Sequence, residues 1–153
     1  MIAIKLRSLV ASALVVFLAA CTDADPVFHE AERPLRLSDW QLFTIQPEAL
    51  TPSPASVVFR PNNPLFTDYA HKLRTLWLPA GLSAEIVNDE ISYPVGTVLS
   101  KTFYYPRASR SQLLKINDAG LTQIELGENQ LIETRLLVLK RDGWEAFPYD
   151  RKR

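Results

Sequence analysis

Leu131-Ile132-Glu133-Thr134-Arg135-Leu136-Leu137-Val138-Leu139-Lys140, then Arg141-Asp142-Gly143, then Trp144-Glu145-Ala146-Phe147-Pro148-Tyr149, is the stretch that decides the fold. Its first part is rich in Leu, Ile, Val and Thr and is the longest strand candidate in the chain. Asp-Gly is a strong hairpin signal, because both residues tolerate the positive φ of a tight turn. Trp144 to Tyr149 then returns as the partner strand. A lone hairpin is at best marginally stable in water, so this one must be part of a larger sheet.

Further strands lie upstream. The turn Pro94-Val95-Gly96 leads into Thr97 to Tyr105, a run of β-branched and aromatic residues. His71 to Leu78 reads as a strand that ends at Pro79-Ala80-Gly81. Val57 to Arg60 and Ala84 to Val87 are shorter candidates, followed by turns at Pro61-Asn62-Asn63-Pro64 and Asn88-Asp89-Glu90. Leu65 to Tyr69 is expected to be irregular. Gln112 to Ile116 and Leu121 to Leu126 flank Asn117-Asp118-Ala119-Gly120, which reads as a hairpin loop. Pro47, Pro52 and Pro54 make residues 46–56 a loop. One helix is expected, of about two turns from Leu37 to Phe43, with Ser38 as cap and Gln41 three residues on. Leu37 and Leu42 are placed as its hydrophobic staple. Short strands at this spacing predict an all-β sandwich or barrel-like domain over residues 35–153, with one short N-terminal helix.

The amino end has a different composition. Lys5 and Arg7 precede an uncharged apolar run, Leu9 to Ala20, that ends in Leu18-Ala19-Ala20-Cys21. A dozen apolar residues fall short of the roughly 20 that span a bilayer. Residues 1–20 therefore read as a cleaved signal peptide. The motif resembles a bacterial lipoprotein signal. In that class the cysteine sulfur takes a diacylglycerol and the chain is cut just before it. The resemblance makes Cys21 the lipidation site. Thr22, rather than Asp, at the next position implies outer-membrane sorting in the cell envelope. Residues 21–34, with Pro26 and Pro34, are expected to be a tether.

Charge and cysteine content bound the rest. Losing Lys5 and Arg7 from 17 basic residues leaves 15 against 17 acidic ones. That balance argues against a nucleic-acid partner, which would call for a basic excess. A single cysteine cannot form a disulfide within one chain, so stability must come from packing.

Strand alternation supplies the candidate site. Leu99, Lys101, Phe103 and Tyr105 share one face, and Leu131, Glu133, Arg135, Leu137 and Leu139 share another. Both faces set charges among apolar residues. If both point inward, Lys101, Glu133 and Arg135 form a desolvated network, a pocket for an anionic or sugar-like ligand. The alternatives are a structural ion pair, or a solvated face opposite Ile132, Leu136 and Val138. Phe103, Tyr104 and Tyr105, with Trp77 and Trp144, are either a carbohydrate platform or core; Trp40 poses the same choice. Asp68 and His71 lie three apart but lack a third ligand, and His29 falls on the tether, so no metal site is assigned. No Gly-x-Ser-x-Gly is present, and five glycines leave no phosphate-cradling loop. No catalytic residue and no cofactor is assigned.

Three ordered blocks carry a wider resemblance. They are Asn63-Pro64-Leu65-Phe66-Thr67-Asp68-Tyr69-Ala70 with Lys72, Arg74, Trp77-Leu78-Pro79 and Gly81; Tyr93-Pro94-Val95-Gly96-Thr97 with Lys101-Thr102-Phe103-Tyr104-Tyr105; and Ile132-Glu133-Thr134-Arg135-Leu136-Leu137-Val138 with Gly143-Trp144 and Pro148-Tyr149. Over Leu35 to Tyr149 the chain resembles the N-terminal part of a family of exported bacterial lipoproteins. Many members of that family continue into a c-type haem segment. Cys-x-x-Cys-His is absent here, which excludes covalent c-type haem in this sequence. The resemblance implies a domain truncated relative to the family, acting beside haem-bearing redox proteins of the envelope. The expected function is a non-enzymatic accessory or interaction domain, anchored by lipid to the outer membrane. The competing expectation is a glycan- or small-ligand-binding β-sandwich. A third is a hydrolase whose site needs the missing part.

Overall fold

The structure is a computed structural model that describes residues 24–150, so the signal stretch and Cys21 lie outside the described residues. The fold is all-β, as expected. Its main layer is a six-stranded antiparallel sheet. Along it lie β11 (Gly143–Asp150), β10 (Asn129–Lys140), β7 (Val98–Ser109), β4 (His71–Trp77) and β3 (Ser56–Val58), in that order. The short β8 (Gln112–Leu113) pairs with the far end of β7. The Asp-Gly turn joins β10 to β11, with Lys140 opposite Gly143.

Alternation sorts this sheet into two faces. His71, Leu73, Thr75 and Trp77 of β4 are buried, as are Val98, Ser100, Thr102 and Tyr104 of β7 and Thr134, Leu136 and Val138 of β10. The threonine and serine hydroxyls on this inner face pair with one another. Thr75 meets Ser100 at 2.6 Å and Thr102 meets Thr134 at 2.9 Å, which meets the need of buried polar groups for partners.

A second, three-stranded sheet contributes the other half of the core. It holds β1 (Phe43–Ile45), β2 (Ala49–Pro52) and β9 (Ile124–Glu125). Phe43, Leu50 and Ile124 from it join Trp40, Leu42, Leu73, Trp77, Tyr104, Leu136 and Phe147 in one buried cluster. A separate two-stranded hairpin, β5 (Glu85–Val87) with β6 (Glu90–Ser92), projects with every residue exposed. Asn88 and Asp89, at φ 53° and 64°, form its turn.

Several expectations need correction. The helix is a single 3-10 turn, Leu37–Trp40, and Gln41 ends it at φ 53°. Its amino end is held by the Asp39 carboxylate, which accepts from the Arg36 amide at 3.2 Å, rather than by Ser38. The chain cannot continue helically because Leu42 and Phe43 are drawn into the core as it enters β1. Residues 49–52 are a strand despite the prolines, with Pro52 at the end of the ladder. The hairpin expected across residues 117–120 does not form. Gln112–Leu113 pairs back onto β7, and Ile124–Glu125 pairs with β2.

The stretch expected as a tether lies against the domain from Pro26 onward, which is buried. The Val27 amide donates to the Trp40 carbonyl at 3.0 Å. His29 sits edge-on to Trp40, and Phe28 packs on the core. Gly96, at φ 95°, leaves the space that Phe28 and Pro79 occupy. Aromatic burial at Phe28 explains the docking, since a bulky apolar side chain gains more on a core than in water.

Candidate functional site

The three candidate residues meet on one face of the main sheet. In register, Arg135 of β10 lies opposite Lys101 of β7, and Lys101 lies opposite Arg74 of β4. The next row along is Glu133, Phe103 and Lys72, and the row on the other side is Leu137, Leu99 and Leu76. This is the outer face, opposite the buried core side chains. Of the alternatives posed by the sequence, the face opposite Leu136 and Val138 is the one adopted. Ile132 is not part of the inner set: a bulge between Leu131 and Glu133 leaves it 41 % exposed and turns Leu131 toward the core.

Within the face, Glu133 pairs with Arg135. Both cations lean on Phe103, with Lys101 Nζ 5.5 Å and Arg135 Cζ 5.1 Å from the ring centroid. Among the described residues the Arg74 guanidinium and the Lys101 ammonium make no hydrogen bond or ion pair. Lys72 Nζ donates to the Leu65 carbonyl at 2.8 Å. That bond ties the loop over residues 59–70 to the edge of the face. Pro64, Leu65 and Phe66 thereby wall a cleft of about 520 Å³ whose floor is Arg74, Lys101 and Arg135.

Electrostatics mark the cleft as short of negative charge. Burial lowers the pKa of Lys72, Arg74 and Lys101. Neighbouring cations lower each further: Arg74 acts on Lys72 and Lys101, Arg135 on Lys101, and Arg60 on Arg74. Asp118 opposes this at Lys72 and Arg74, as Glu133 does at Lys101. Like charges directly opposed across strands destabilise a sheet by roughly 0.2–1 kcal/mol a pair. An anion laid across the row would relieve that repulsion and take the free donors.

Behind the same loop, Asp118 organises a second polar cluster. Its carboxylate accepts from the Lys72 amide at 3.0 Å and from the Gly120 amide at 2.9 Å. His71, buried, lies 3.7 Å from Asp118 and hydrogen-bonds the Ile116 carbonyl at 2.9 Å through Nε2. Tyr104 lies beside His71, and burial, then the Asp118 charge, pushes its pKa up to about 12. Asp68 is apart from this cluster, exposed and paired with Lys115 at 3.3 Å. Asp68 and His71 thus do not converge, and the described residues hold no group of three or more potential metal ligands.

The aromatic group divides between the faces. Tyr104, Trp77 and Trp40 are core, Phe103 lies under the cations, and Trp144 is partly exposed against Tyr93. Sequence reasoning found Lys101, Glu133 and Arg135 but missed Arg74 and Lys72. Their alternation in His71 to Leu78 was visible, yet only the strand order brings β4 beside β7. Compared with known protein families, curated protein sequences and solved structures, the chain matches none.

Proposed function

We propose that this chain is a binding domain of the bacterial cell envelope, held at the outer membrane through a lipidated Cys21, and that its open sheet face takes an anionic ligand. The observation that carries the ligand class is the cationic row Arg74–Lys101–Arg135, aligned over three neighbouring strands with Glu133 bound to one end. Arg74 and Lys101 bring free donors, and charge-assisted hydrogen bonds to an anion are the strong kind. The role is recognition, so the domain serves as an accessory or interaction module. Its companionship with haem-bearing redox proteins rests on the family resemblance alone.

Calorimetric titration with tripolyphosphate tests the reading. Binding should weaken steeply with added salt. Arg74→Ala and Lys101→Ala should each lower affinity about tenfold, the loss of one hydrogen bond to a charged group. Salt-independent binding, or affinity unchanged in both variants, would remove the site from the account.

A further inference from the structure

We infer that the anion this cleft meets is the headgroup layer of a negatively charged bilayer, and that Leu65 and Phe66 enter the membrane beside it. The inference rests on the anion-site reading above and names its ligand. The added observation is the loop wall. Leu65 is 86 % exposed and Phe66 is 75 % exposed, on adjacent positions at the mouth of the cationic cleft. A site for a small soluble anion gains nothing from two large apolar side chains held in water. A site at a lipid interface gains from both parts, apolar insertion and attraction to anionic headgroups.

The loop is built to present this pair. The Leu65 carbonyl accepts from Lys72 Nζ at 2.8 Å and from the Thr67 hydroxyl at 3.2 Å. Phe66 rests edge-on against Tyr69, at 5.1 Å between ring centroids. Asp68 and Tyr69 both have positive φ, at 44° and 61°, and the Ala70 amide closes that turn onto the Thr67 carbonyl. The turn is fixed in turn by the Tyr105 hydroxyl, which donates to the Asp68 carbonyl at 2.9 Å. The acidic groups nearest the loop are already engaged. Asp68 pairs with Lys115, Glu133 with Arg135, and Asp118 accepts from backbone amides. What remains toward the open side is an apolar tip flanked by Lys72, Arg74 and Lys101, a surface complementary in both charge and polarity to an anionic membrane.

The test uses the exported chain from residue 21 with Cys21→Ser, so that no acyl chain supplies the binding. Vesicles of phosphatidylcholine are compared with vesicles in which a third of the lipid is phosphatidylglycerol. Sedimentation should show about a hundredfold tighter binding to the anionic vesicles, the gain expected from three Lys or Arg side chains at such a surface. Leu65→Ser combined with Phe66→Ser should cut vesicle binding about tenfold or more. The same variant should keep its thermal midpoint, because both residues are exposed. Equal binding to both vesicle types, or vesicle binding unchanged by the loop variant, overturns the membrane inference. Tripolyphosphate binding with no vesicle binding overturns it too and leaves the anion site standing. Binding to neither probe overturns both.

Discussion

Glu133 and Lys101 belong to the same face, yet truncating them should change stability in opposite directions. Glu133, itself 18 % exposed, is bonded to Arg135, whose side chain is 57 % exposed and solvent-screened, so Glu133→Ala should cost about 1 kcal/mol. The larger loss that an inward-facing network would give is not expected on an outer face. Lys101 has cations on both sides of it in register. Lys101→Met keeps the stem that covers Phe103 and removes the repulsion, so it should stabilise the free domain by roughly 0.2–1 kcal/mol. Urea unfolding of the two variants measures both signs, and a destabilised Lys101→Met would show that the row carries no repulsion. A side chain that weakens the fold while it serves the site is a common signature of function. The shared face of these residues was legible from alternation alone. Its direction was not, because Leu99, Phe103 and Leu137 make the outer face look as apolar as the inner one.

At the scale of elements, β10 carries one residue more than its partner needs. Leu131 faces Tyr104 and Glu133 faces Phe103, so Ile132 is unpaired. Deleting Ile132 would leave Leu131 turned inward and Glu133 outward in a regular ladder. The cost should fall within the roughly 0.5–3 kcal/mol of tolerated changes. Deleting Leu137 instead would send every residue on one side of it to the wrong face, and the domain should not fold. Thermal unfolding with circular dichroism compares the two deletions, and equal damage would refute the bulge as a spare residue. The long strands were readable because β-branched and aromatic runs with a firm Asp-Gly turn leave little choice. The two-residue strands β8 and β9 were not. Their pairing is set by distant partners, and Asp118 spends its carboxylate on the Lys72 and Gly120 amides rather than on a hairpin turn. The helix failed for a similar reason, since its capping pattern lost to the burial of Leu42 and Phe43.

For the whole molecule, the proposed anchor at Cys21 would sit close to the domain in sequence. Four residues lie between Cys21 and Pro26, the first buried residue described, so the link spans at most about 18 Å. Cys21→Ala should move the protein from the membrane pellet to the soluble fraction after a high-salt wash, which also removes contacts made by the cationic face. Retention in the pellet would mean that lipid on Cys21 is not the anchor. The domain also joins its own beginning to its end. Trp40 Nε1 donates to the Tyr149 hydroxyl at 2.7 Å, Tyr149 donates to the Pro34 carbonyl at 2.8 Å, and Arg33 donates to the Pro148 carbonyl at 3.0 Å. Those partners lie 109 to 115 positions apart, and closing such distances before any reward slows folding. In a chain made amino end first, Trp40 therefore stays unsheltered until Phe147 and Tyr149 arrive. The first-made part of the domain thus waits for β11 before it sets into shape.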